Sequence, residues 1–171
     1  MKICLKNALY VITCLGSLSF YSCKKFDDSR PNDLGKLVFA GTGNAAQLTP
    51  PGTSTGTATF SGVYDANQKV FNYKLNWKNL DTTVVTARFY GPNAVGQENV
   101  QLRDIFVSTT TANNRPKTDS LTSAFFSLNA LSDKEANDLK DGKWSFLITT
   151  PTSPNGVLKG KITYVRTYFD E

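Results

Sequence analysis

The sequence predicts an all-β fold, an antiparallel β-sandwich or barrel of seven or eight strands with one short helix near residues 132–141. Three observations carry that expectation. Runs such as Phe71-Asn72-Tyr73-Lys74-Leu75-Asn76-Trp77-Lys78 alternate apolar and polar residues without a break, and a strand sends successive side chains to opposite faces. Thr, Val, Tyr and Phe recur throughout, and these residues suit a pleated, half-buried surface better than a helix. Polar segments with Gly, Pro, Asn or Asp punctuate the runs at the spacing of an all-β domain.

Taken in order, the chain begins with Lys2 and Lys6 ahead of an apolar stretch, Ala8 to Leu18, too short to span a bilayer comfortably. Residues 1–22 therefore read as an export signal. Leu18-Ser19-Phe20-Tyr21-Ser22-Cys23 resembles a bacterial lipobox, in the relaxed form with Ser before Cys that looks like Bacteroidota lipoproteins, although Phe20 stands where Leu is usual. The resemblance implies that Cys23 becomes the first mature residue and carries a lipid such as palmitate. It places the protein in the cell envelope, held to the outer membrane on its surface or periplasmic side. An ordinary signal peptide cleaved nearby is the alternative reading. With Cys4 and Cys14 removed and Cys23 lipidated, the mature domain keeps no thiol for a disulfide, a nucleophile or a metal.

Residues 23–35 form a flexible tether. Its Lys24-Lys25-Phe26-Asp27-Asp28 is similar to surface-export signals of such lipoproteins, and reads equally as a solvated charged spacer. The domain proper spans residues 36–166, with 167–171 as a tail. Lys36 to Ala40 is the first strand, followed by a polar loop, Gly41 to Thr55. Gly56 to Asp65 and Lys69 to Leu80 make a hairpin across a short polar turn. In its second arm Phe71, Tyr73, Leu75 and Trp77 share the buried face, worth ~1.5–3 kcal/mol each. Thr83 to Tyr90 follows, with Val85, Ala87 and Phe89 on one face and Thr86, Arg88 and Tyr90 on the other. Val100 to Val107 and Leu121 to Leu128 are strands separated by the exposed loop Ser108 to Ser120. Ser132 to Gly142 is the helix: Ser132 is a good N-cap, Glu135 completes a capping box, and Gly142 ends it. Leu131 and Leu139 dock it. Lys143 to Thr150 and Gly156 to Arg166 close the domain.

Several of these segments together carry a family resemblance. Gly41 through Pro50-Pro51, Gly56-Thr57-Ala58-Thr59-Phe60, Ala87-Arg88-Phe89-Tyr90-Gly91-Pro92, Leu139 to Gly142 with Trp144, and Pro154-Asn155-Gly156-Val157-Leu158-Lys159-Gly160 look like the CHRD (chordin) domain, in the same order. The resemblance implies an immunoglobulin-like or superoxide-dismutase-like β-sandwich or barrel, and for bacterial members no established activity. The family pattern has His-x-His before Gly-Pro, where this chain has Arg88 and Tyr90, and a further His where it has Ile148. No histidine occurs anywhere in the sequence. Neither Arg88 nor Ile148 can ligate a metal or titrate near neutrality, so no metal, cofactor or superoxide chemistry is expected.

Comparison with the family pattern turns Ser145 and Leu147 toward the core and leaves Trp144, Phe146 and Ile148 on the face that carried the His. If the two strands are neighbours, Arg88, Tyr90, Trp144, Phe146 and Ile148 then make one aromatic patch bearing a cation. It is either a second small core under a loop or the helix, or a binding face of the kind found at protein hot spots and sugar-stacking sites. Exposure of Trp144 discriminates.

Catalytic constellations are lacking. No Ser/His/Asp set, Cys/His pair, phosphate-binding Gly loop or calcium loop is present, and the carboxylates fall mainly in the tether, helix, turns and tail. The net charge of +5 drops by two with the signal, and no Lys/Arg run is interleaved with aromatics, so nucleic acid is not expected as a partner. The reading is a non-catalytic envelope lipoprotein whose domain binds a protein or serves a structural role, with a glycan-binding accessory protein as the alternative.

Overall fold

The computed structural model describes residues 35–92, 100–122 and 130–167, all within one compact unit, residues 33–171. The signal 1–22, Cys23, nearly all of the tether, the end of the tail and most of the expected strand Leu121 to Leu128 lie outside the described residues.

Among the described residues nine strands form one antiparallel sheet. They are β1 (Lys36–Asn44), β2 (Thr57–Asp65), β3 (Val70–Lys78), β4 (Thr86–Gly91), β5 (Val100–Val107), β6 (Asp119–Thr122), β7 (Ser145–Thr150), β8 (Ser153–Lys161) and β9 (Thr163–Thr167), with helix α1 (Asp133–Lys140) between β6 and β7. The strand order is β5-β4-β7-β8-β1-β2-β3-β6, and β9 pairs with β1 beside β8. The sheet is curled into a half-barrel. Phe89 on β4 lies 5.0 Å, ring centre to ring centre, from Tyr73 on β3, and 5.8 Å from Phe60 on β2, although these strands are far apart in the sheet. Such contacts require the sheet to bend back on itself, so that the one sheet of the described residues encloses an aromatic core.

The β2–β3 hairpin forms as the alternation predicts, with Thr57 opposite Lys78 and Asp65 opposite Val70. Asp65 Oδ1 accepts hydrogen bonds from the backbone N–H groups of Asn67 and Gln68 and holds the turn. Phe71, Tyr73, Leu75 and Trp77 are all buried. Strand β5 has the boundaries read from the sequence.

Strand β1 runs further than expected, through Gly41-Thr42-Gly43-Asn44. Glycines there weaken the sequence signal of a strand. In the sheet Gly43 pairs with Gly160, and the Phe146 ring lies over both: a Cβ on Gly43 would sit 2.8 Å from the ring. The glycines are the floor for an aromatic. The last expected strand is instead divided into β8 and β9, because the Ile162 N–H turns to the Trp144 carbonyl at 2.9 Å.

Helix α1 carries the full capping box between Ser132 and Glu135, and Gly142, at φ +67°, ends it. Leu131 and Leu139 are buried beneath it. Arg103 on β5 reaches Glu135 Oε1 at 3.1 Å and ties the helix start to the sheet edge. Burial pushes the Glu135 carboxyl up, but hydrogen bonds from Ser132 and the charge of Arg103 outweigh it and leave the group below its ordinary value.

Candidate functional site

Strands β4 and β7 are neighbours, and their register decides which side chains meet. Ala87 faces Ile148, Arg88 faces Leu147, Phe89 faces Phe146 and Tyr90 faces Ser145. Directly opposed residues share a face of the sheet. Trp144, Phe146 and Ile148 therefore point inward with Ala87 and Phe89, and Trp144 is only 1% exposed. Arg88 and Tyr90 point outward with Leu147. The five-residue patch expected from the sequence is thus two groups on opposite sides of one sheet, and Trp144 belongs to the core, 5.7 Å from the Phe89 ring and 6.2 Å from Phe71. The assignment of Ser145 and Leu147 to the core face is likewise reversed. Bulk settles the matter: the larger set, Trp144, Phe146 and Ile148, fills the concave side, where burial gains most.

On the outer face Arg88 is engaged. Its Nε donates to Asp104 Oδ1 at 2.7 Å, and Gln101 Nε2 donates to the same oxygen at 3.0 Å. Tyr90 is half-buried at the wall of a depression of 330 Å³ shared with Leu48, Thr49, Leu147, Pro154, Asn155 and Lys159.

Two segments build that depression against the sheet. One is the loop after β1, where a 3-10 turn, Ala45–Gln47, is capped by Asn44 and followed by a cis Thr49-Pro50 bond. Gln47 pins this loop to the sheet, donating from Nε2 to the Thr42 carbonyl at 3.0 Å and accepting from the Lys161 N–H at 3.4 Å. The other segment is the β7–β8 connection and the start of β8. Gly156, at φ +127°, lies under the meeting point of the two: a Cβ there would sit 2.8 Å from Leu147 and 2.9 Å from Leu48. The close seat of Leu48 on the sheet depends on that missing side chain.

The residues that match the CHRD domain run from 39 to 162, from β1 to the end of β8. The chain belongs to the CHRD family. None of the curated proteins matches it, and none of the solved structures does. Within this CHRD domain the three positions compared above do not converge, since Arg88 and Tyr90 face out and Ile148 faces in. Among the described residues no three His, Cys, Asp or Glu side chains gather to hold a metal ion. Besides Tyr90, the depression is lined by the amide residue Asn155 and by Lys159.

Leu48, Thr49, Asn155 and Lys159 were not singled out as site residues from the sequence. Pro50-Pro51 and Pro154-Asn155-Gly156 stood out there as parts of the family resemblance, and it is the pairing of β8 with both β1 and β7 that brings the two segments together.

Proposed function

We propose that this chain is a lipid-anchored, non-catalytic binding protein of the cell envelope, in which the CHRD domain presents the outer face of β4, β7 and β8 to its partner. The depression lined by Tyr90 is the observation that carries the reading. Its aromatic wall and isolated polar groups, framed by two loops on a rigid sheet, are the usual make-up of a small recognition site. The lipobox-like sequence ending at Cys23 supports the anchor, at the outer membrane, and the lack of His in the whole chain supports a role without acid–base or metal catalysis.

Palmitate labelling of cells expressing the full chain tests the anchor. Label on the native protein and none on Cys23→Ser is the expected result. An unlabelled native chain would sink the lipoprotein assignment. Of the two partner classes, protein and glycan, the lining of Tyr90, Asn155 and Lys159 favours glycan, since sugars offer an apolar C–H face to stack and hydroxyls to hydrogen-bond.

A further inference from the structure

A second hollow adjoins the Tyr90 depression across Leu48, which lines both. It encloses 180 Å³, and its polar wall includes Asp81, Thr82, Thr150, Thr152 and Ser153. Ser153 faces this hollow and Pro154 and Asn155 the other, so the start of β8 passes from one to the other within ~7 Å at strand spacing.

The chemistry of the two hollows differs in a complementary way. The first has an aromatic wall and a cation. The second is lined by several hydroxyl side chains and one carboxylate: Thr150 is almost fully buried, with its Oγ1 3.3 Å from Thr152 Oγ1, while Asp81 is exposed and has no ion-pair partner among the described residues. Hydroxyls donate and accept, and a carboxylate accepts through two oxygens. A calcium ion needs six to eight oxygens and usually several carboxylates, which the hollow lacks. A phosphate is disfavoured by the Asp81 charge. A ring of vicinal hydroxyls satisfies both requirements at once, with two O–H groups toward Asp81 and the others toward the threonines.

We infer that the two hollows are adjacent subsites for consecutive units of one oligosaccharide, Tyr90 stacking on one ring and Asp81 with its surrounding hydroxyls holding the next. The inference rests on the reading of the Tyr90 face as the binding site and deepens it. The first hollow, at 330 Å³, already lies within the ~300–1,000 Å³ of ordinary ligand sites, whereas the second, at 180 Å³, falls short of it alone and extends the first. Leu48 forms the ridge beneath the linkage.

The test is calorimetric titration of the full chain, purified in detergent, with glucose and N-acetylglucosamine and with their β-1,4-linked dimers to tetramers. Dimers are expected to bind about tenfold or more tightly than the monosaccharide, the gain of a second occupied subsite. In Asp81→Asn that length advantage disappears while monosaccharide affinity persists, and in Tyr90→Ala binding of both is lost. Loss in Tyr90→Ala with an unchanged length advantage in Asp81→Asn overturns the second subsite and leaves the Tyr90 face standing. Binding indifferent to Tyr90→Ala, or no binding to any probe, overturns the oligosaccharide inference, and the anchoring assignment is judged separately by the Cys23 label. Unchanged melting temperatures in both variants show that the domain is folded.

Discussion

The two faces of the β4–β7 ladder are made by the same ten residues, yet they do unrelated work. Inward, Ala87, Phe89, Phe146 and Ile148 are fully buried and join Phe60, Phe71, Tyr73 and Trp144 in a single mass of rings. Outward, Arg88 is tied to Asp104, and Tyr90 and Leu147 line an open hollow. Aromatic character alone does not mark a binding site in this protein. The concave side of a curled sheet must be filled, and its rings are spent on holding the half-barrel closed. The convex side is free of that demand, and its aromatic, Tyr90, stands half-buried at the wall of an open hollow.

Cutting back one ring on each side breaks the comparison most sharply. Phe146→Ala removes a ring that contacts Phe60 across the core at 6.0 Å and covers Gly43 and Gly160, and a cost of ~3–5 kcal/mol is expected. Tyr90→Ala, at a half-buried position outside the core, should cost only about 1 kcal/mol, the centre of the range for single substitutions. Urea unfolding of the two variants measures both. Equal losses would show that the outer hollow is part of the fold's support.

The same contrast explains what could be read in advance. Alternation located β2 and β3 and their buried face, because Phe71, Tyr73, Leu75 and Trp77 are large and their neighbours polar. The helix followed from local chemistry alone, since the Ser132–Glu135 box lies within four residues. Which side of β7 is inside was a different problem. Trp144-Ser145-Phe146-Leu147-Ile148 carries apolar residues on both faces, and only the register against β4 and the burial of each side chain assign them. Likewise Gly43 reads as a loop residue until Phe146, more than a hundred positions away, is seen above it. The candidate hollow was invisible for the same reason, its walls being assembled from the loop after β1, the outer face of β4 and β7, and β8.

Titration offers a second, smaller contrast. Burial pushes the Tyr73 phenol up to about 12. An unfolded tyrosine ionises near ~10, so the folded protein keeps the proton over a range in which the unfolded chain has lost it. This stabilisation is complete below pH ~10 and disappears as the pH rises through about 12, a loss of up to ~3 kcal/mol. Alkaline unfolding should therefore be steep in the native protein and flattened in Tyr73→Phe. Identical curves for native protein and Tyr73→Phe would show that the inner phenol is not held in the way its burial requires.

The smallest effect belongs to Arg88, and it is the finest test of the outer face. Its ion pair with Asp104 is short, but the two side chains are 29% and 50% exposed. Water and salt screen such a pair, and the net contribution is ~0–1 kcal/mol. The pair lies across β4 and β5, where bulges interrupt the ladder on either side of Arg88 and Phe89, so any larger role would come from fixing that irregular register. A double-mutant cycle of Arg88→Ala and Asp104→Ala, repeated in high salt, separates the two. A coupling that is small and fades with salt fits a solvated pair on a face free for recognition. A coupling above ~1 kcal/mol that survives salt would mean that Arg88 helps set the strand register, and the outer face would then carry structural load next to Tyr90.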